Sequence, residues 1–337
     1  MRHAETIIGY SAAHPSSVAQ QCYLGCLFGR DDGIRPTLHG ALRTVIMNVL
    51  LRCRAVVQMH RLTCFFALAY ALSWADWIPL ALSGASVVPG GEITHFPGLL
   101  GPAAAAFIVT ALTDGGPGVL ELLRRLFLVC RPRLTFVAYA SSPLVFLGFA
   151  LVAMAVVGDH IPPVSDFGVY SGLPVLPLVT VLVLVLLFNG FGEEIGWRGF
   201  ALGHLQCRFG PVKGTLLLGL IWAGWHVPTF WFVEGYRSLG LVTLIGGFGL
   251  GICAGSVVLA RVLNRTGGSV LAAALWHATY NLTSATAGSH GFVGAVTTTC
   301  VMVWAGWILF QEWRRPLSRS RLSVAEVGRR STLSDAR

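Results

Sequence analysis

The chain is poor in charge. Asp, Glu, Lys and Arg make up 12% of its 337 residues, where soluble domains carry about 25%. Set against 54% hydrophobic residues, this scarcity excludes an ordinary water-soluble enzyme and points to a polytopic membrane chain. Paired cysteines are lacking too. Cys22, Cys26, Cys53, Cys64, Cys130, Cys207, Cys253 and Cys300 contain no C-x-x-C, so neither a zinc ribbon nor a disulfide framework is supported. There is no H-E-x-x-H, which excludes a soluble-type metalloprotease helix. No basic-aromatic pattern appears, so no nucleic-acid partner is expected. The start of the chain lacks the basic, apolar and small-residue order of a signal peptide.

What is there is a series of apolar runs. Eight can be placed, at residues 62–82, 96–112, 136–157, 173–205, 214–233, 239–263, 269–287 and 292–310. All but the fourth, which is longer, are near the roughly 20 residues a membrane helix needs. The connections support the count. Arg and Lys dominate before the first run and after the second, fourth, sixth and eighth; the intervening connections are acidic, neutral or mixed. This alternation predicts an all-α protein of about eight transmembrane helices with both termini cytoplasmic, in a plasma or inner membrane. The net charge of +9 is then chiefly an orientation signal. Residues 1–58 read as a leader, either disordered or not translated, with Met59 as the alternative start. Residues 59–313 form the membrane domain, and 314–337 a basic cytoplasmic tail. Between the second and third runs, Leu120, Leu123 and Phe127 recur at helical spacing beside Arg124 and Arg125. That spacing predicts a helix on the cytoplasmic membrane surface. In "GGFGLGICAG" the glycines predict close helix approach.

Three runs hold nearly all the buried polar groups. The stretch "NGFGEEIGWRGF" carries Asn189, Glu193, Glu194 and Arg198; "IWAGWHVPTFWF" carries Trp222 and His226; "LWHATYN" carries His277 and Asn281. A charge at a membrane helix centre costs about 2.5–3.5 kcal/mol on insertion scales, so a reason for these residues is required. Counted from the nearest cytoplasmic Arg or Lys, Glu193, His226 and His277 all lie roughly 18–22 Å deep at about 1.5 Å per residue. One level on three spans favours one shared site. Glu194 and Arg198, four apart, can neutralise each other. Glu193 points elsewhere, toward the face of Asn189, and is left as the free carboxylate. His277 and Asn281 share a face. The bland readings are a structural ion pair for Glu194 and Arg198, and satisfied core residues for the histidines. Asp76 reads as part of an interfacial belt, and His204 as a bystander.

Together these residues resemble the CPBP intramembrane protease family, which includes type II CAAX prenyl proteases and lysostaphin-resistance or immunity-type relatives. E-E-x-x-x-R is Glu193, Glu194 and Arg198. The usual F-x-x-x-H is here Trp222 to His226, with Trp in place of Phe. H-x-x-x-N is His277 to Asn281. The resemblance implies a core formed by the fourth to seventh helices and an intramembrane endopeptidase acting on a membrane-associated peptide or protein, prenylated or not. Glu193 would take a proton from water and His226 would orient that water. His277 and Asn281 would stabilise the oxyanion, and Asn189 would hold Glu193. Zinc on Glu193, His226 and His277 is the alternative chemistry; the residue types fit either. Two other classes compete: a transporter or proton-coupled carrier, against which stands the lack of an inverted repeat, and a non-catalytic immunity or scaffold relative.

Overall fold

The computed structural model describes residues 38–129, 132–237, 239–240 and 242–314. The expected leader up to residue 37 and the expected tail from 315 on lie outside the described residues. The chain divides into two units, Met1–Cys53 and Arg54–Arg337. From Leu38 the presumed leader is helical: α1 covers Leu38–Met59. Its run of Ala, Leu, Arg, Met and Val without an internal proline is sufficient reason.

Ten helices carry the described fold. After α1 come α2 (Arg61–Leu82), α3 (Gly101–Leu126), α4 (Arg133–Ala140) and α5 (Ser142–Val157). Then follow α6 (Leu178–Phe209), α7 (Pro211–Trp225), α8 (Thr243–Arg265), α9 (Val270–Ser284) and α10 (Phe292–Arg314). Among the described residues there are isolated β-bridges but no strand. The protein is all-α, and an integral multi-pass membrane protein.

Among the described residues five helices are long and apolar enough to cross a bilayer: α2, the 96–126 segment containing α3, α6, α8 and α10. The α4–α5 pair, bent by 49°, makes a sixth if taken as one span. The two remaining expected spans form α7 and α9, each of 15 residues. At about 1.5 Å per residue neither crosses a hydrocarbon core of roughly 30 Å as a helix alone. Both carry chemistry-bearing residues. α7 ends at Trp225 because Pro228 has no N–H to continue the ladder. The Trp225 carbonyl left at that end accepts from the Trp74 indole at 3.0 Å, as a helix end requires.

Large apolar side chains face outward along the spans: Leu82, Val156, Val179 and Val303 are all exposed. In water that would be costly; against lipid it is the expected surface. The expected surface helix continues α3 beyond a break at Gly115, whose φ of 68° suits glycine. There Leu120, Leu123 and Phe127 are exposed, while Leu122 and Leu126 are buried. Arg125 ties this segment inward, donating Nε to the Gly268 carbonyl at 3.0 Å and Nη1 to that of Gly199 at 2.7 Å. At the opposite end, the bridges Val87–Val233, Pro89–Ser171, Gly90–Pro174 and Tyr170–Thr286 knit the loops into a cap.

The glycine expectation needs correction. A Cβ on Gly246 would meet nothing, on Gly247 or Gly249 only side chain or backbone of the same helix, and on Gly251 or Gly255 only ordinary contacts with Met302 and Thr298 of α10 and Trp222 of α7. Tight approaches occur in α6, as they do where Gly98 and Gly101 meet Trp77 and Ser73 of α2. A Cβ on Gly190 would lie 2.8 Å from the Ala274 carbonyl oxygen of α9, and on Gly196 2.5 Å from that of Pro102 in α3. The glycines around the two glutamates are what bring α6 against its neighbours.

Candidate active site

The site begins with an irregularity in α6. Leu186–Phe191 and Ile195–Ala201 are π-wound, flanking one short α-helical piece, Gly192–Glu194. Such wide turns are rare and concentrate at functional sites. They hold both glutamates on a buried stretch facing α7 and α9; Glu193 and Glu194 are fully buried, as is Arg198.

The two carboxylates have different partners. Glu194 Oε1 accepts from Arg198 Nη1 at 2.9 Å, the pair its spacing suggests, and also from His277 Nδ1 at 2.8 Å. Glu194 therefore links the arginine of its own helix to the histidine of α9. Glu193 Oε2 accepts from the indole Nε1 of Trp222 at 2.8 Å. Asn189, expected to hold Glu193, makes no such bond. Its Oδ1 is buried without a partner, and the indole reaching across from α7 takes the place assigned to it.

The histidine tautomers follow from the same geometry. His226 Nδ1 lies 2.8 Å from the carbonyl oxygen of Trp222. A carbonyl can only accept, so Nδ1 carries the proton and Nε2 of the neutral ring presents its lone pair. For His277, Nδ1–H donates to the Glu194 carboxylate, and Nε2 is again turned away from it. Trp222 stands among these groups. The Arg198 guanidinium lies 4.2 Å from its ring centroid. The His277 and His226 ring centroids are 5.4 and 5.8 Å away.

A set of polar atoms is left over. Glu194 Oε2 and Arg198 Nε and Nη2 are sealed in protein without hydrogen bonds. Glu193 Oε1, His226 Nε2, His277 Nε2 and the Asn281 amide also lack protein hydrogen bonds but are not among the sealed atoms. Glu193 and His226 each interact electrostatically with His277, and Asn281 follows His277 by one turn of α9. The residues bearing these free atoms gather around the Trp222 indole, which bonds Glu193 and meets both histidine rings, and the unsealed atoms among them mark a recess, where burial strengthens each interaction.

Three lining groups were missed by sequence reasoning. His95 is buried with Nδ1 unpartnered, and it interacts electrostatically with His226. Burial pushes its imidazole down to about 4. Tyr170 is buried and its hydroxyl is pushed up by burial first, then by Tyr236 and Glu193. Burial likewise pushes the Tyr236 hydroxyl up to about 12, with Tyr280 and Glu193 adding to it. None belongs to a motif: His95 and Tyr170 lie in loops and Tyr236 on the short helical turn Glu234–Arg237, so no local pattern marks them. Asp76 Oδ2 accepts from the Gly98 backbone N–H at 3.1 Å. His204 Nδ1 donates to the Phe200 carbonyl one turn back at 2.8 Å. Neither bonds to Glu193, His226, His277 or Asn281.

For a metal, the tautomers suit ligation, since each Nδ1–H has an acceptor and each Nε2 is free. The grouping does not suit it. Among the described residues no three of His, Cys, Asp and Glu are placed to hold one ion. Glu193, His226 and His277 as arranged do not make up the expected zinc set.

Residues 175–283 match a family model described as type II CAAX prenyl endopeptidase Rce1-like. That interval contains every chemistry-bearing residue of α6, α7 and α9 named above. A curated protein, CAAX prenyl protease 2 of Methanococcus maripaludis, is 28% identical over 179 residues. The match covers 51% of this chain and 64% of that relative, so the chain spans less than two thirds of the relative's length.

Proposed function

We propose that this chain, which belongs to the CPBP intramembrane protease family, is an endopeptidase that hydrolyses a peptide bond inside the membrane. The carrying observation is the recess itself. One carboxylate oxygen, two imidazole nitrogens and one amide, from three helices, have no protein partner and are not sealed. A structural ion pair leaves no such set.

The chemistry follows from those atoms. Water sits between Glu193 Oε1 and His226 Nε2, both acceptors, so its oxygen lone pair faces the scissile carbonyl. As the C–O bond forms, Glu193 takes the water proton. The carbonyl oxygen becomes an oxyanion and accepts from the Asn281 amide N–H. The C–N bond then breaks, and Glu193 passes its proton to the leaving amine. Glu194 and Arg198 neutralise each other, and Glu194 sets the His277 ring.

The substrate we propose is a membrane-associated peptide with a prenylated C-terminus. The support is the family match and the printed name of the relative. The orientation we propose has both termini cytoplasmic, as the Arg and Lys alternation favours.

The test is cleavage of an internally quenched farnesylated peptide by purified protein in lipid nanodiscs. Glu193→Gln keeps shape and hydrogen bonding but cannot take the water proton. It is expected to abolish cleavage while the thermal midpoint stays close to wild type. Full activity in this variant removes the assignment. Loss of solute uptake in vesicles, with no peptide ever cut, puts a carrier in its place.

A further inference from the structure

We infer that Trp222 is a positioning residue that presents one chosen oxygen of Glu193 to the reacting water. The inference rests on the protease reading above. The terminal torsion of a glutamate is broad and roughly two-fold, so a buried carboxylate with no anchor can turn and exchange its oxygens. Here the Trp222 indole N–H holds Oε2 at 2.8 Å. Oε1 is left without a protein bond and is not sealed. One oxygen is fixed and the other is free for the proton transfer.

An anchor works only if it is itself fixed, and this one is. Trp222 is 5% exposed. One face carries the Arg198 guanidinium at 4.2 Å, a cation–π contact. His277 meets the ring edge to face, with 84° between the planes. The same residue also sets the second water-facing group, because its carbonyl accepts from His226 Nδ1–H at 2.8 Å one turn later. Side chain and main chain of Trp222 therefore place a proton acceptor each, from two different helices, in one frame. A phenylalanine could keep the ring contacts and the carbonyl. It could not supply the N–H.

That difference defines the experiment. Trp222→Phe removes the N–H and keeps an aromatic ring, at the cost of the smaller ring's lost volume, which the double-variant comparison subtracts. With the farnesylated quenched peptide, kcat should fall roughly tenfold to a hundredfold, the scale of a hydrogen bond to a charged group, while KM stays within about twofold. A KM rise with unchanged kcat would mean that Trp222 only shapes the peptide site, and would overturn the inference. Wild-type kcat in Trp222→Phe beside a dead Glu193→Gln would overturn it too, yet leave the protease reading intact. An active Glu193→Gln would remove the protease reading itself. A second measurement needs no activity. In the wild-type background Trp222→Phe should lower the thermal midpoint. In a Glu193→Leu background, where the indole N–H has lost its acceptor, the same change should lower it less or raise it. Equal losses in both backgrounds would show that the bond does not couple the two residues.

Discussion

At the scale of single residues, the two adjacent glutamates differ by what touches them. Glu194 is the more constrained, with Arg198 and His277 on one oxygen. Glu194→Gln leaves Arg198 buried without its counter-charge, and breaking a buried pair costs about 3–5 kcal/mol. It should therefore lower the melting temperature and the activity together, unlike Glu193→Gln, and a thermal melt beside a rate measurement separates the two. Asn281→Ala removes one oxyanion donor and should leave a residual rate about a hundred- to a thousandfold lower, read from kcat with the same peptide. His95 gives a pH test. Burial holds its imidazole at about 4 in the folded protein, against about 6.5 in an unfolded chain. As pH falls from 6.5 toward 4, the unfolded state takes up a proton that the folded state refuses, so stability is lost over that window. The thermal midpoint should drop across it, and His95→Gln should flatten the drop. Of these contacts, the sequence makes the Glu194–Arg198 pair legible because both ends lie on one helix four residues apart. The Glu194–His277 and Glu193–Trp222 bonds join helices 83 and 29 positions apart, and no local spacing encodes which side chain a neighbouring helix will offer.

At the scale of elements, the helices were easier to foresee than their winding. Long apolar runs flanked by Arg announce spans, and the runs found that way all became helical. What periodicity could not carry was the pair of π-wound stretches in α6 or the stop of α7 at Trp225. The first depends on how α6 is pressed by its neighbours, the second on a single proline. The glycines show the same limit. "GGFGLGICAG" is denser in glycine than "NGFGEEIG", yet the tight contacts fall in the second, because closeness is a property of the facing helix. Gly196→Ala would place a Cβ 2.5 Å from a main-chain oxygen of Pro102, which cannot turn aside as a side chain can. It should cost roughly 1–3 kcal/mol and depress activity by moving both glutamates. Gly246→Ala meets nothing within 4 Å and should leave the melting temperature unchanged or slightly higher. A pair of thermal melts decides whether glycine density or glycine contact matters here.

At the scale of the whole molecule, the recess lies toward one end of the bundle. His226 caps the far end of α7, whose 15 residues start after the α6–α7 turn at Gly210 and rise about 22 Å. The turn end carries Arg208 and Lys213, and Arg125 is bonded to Gly199 and Gly268 nearby. The cap end is built from loops and a short helical turn that contribute His95, Tyr170 and Tyr236 to the recess. If Arg and Lys mark the cytoplasmic side, the cap faces the other compartment and the scissile bond is cut nearer that face. Two thiol positions test this. Cys207 is a natural, exposed cysteine beside Arg208, and Ser165 is exposed on the short helical turn Val164–Gly168 of the cap. In a background with every other cysteine replaced, a membrane-impermeant maleimide should label Cys207 in inverted vesicles but not in intact cells. With Cys207 also replaced, Ser165→Cys should react in intact cells. The reverse pattern would turn the protein over in the membrane. It would leave the chemistry of Glu193 where it is, but substrates would then have to reach it from the cytoplasmic side through the cap.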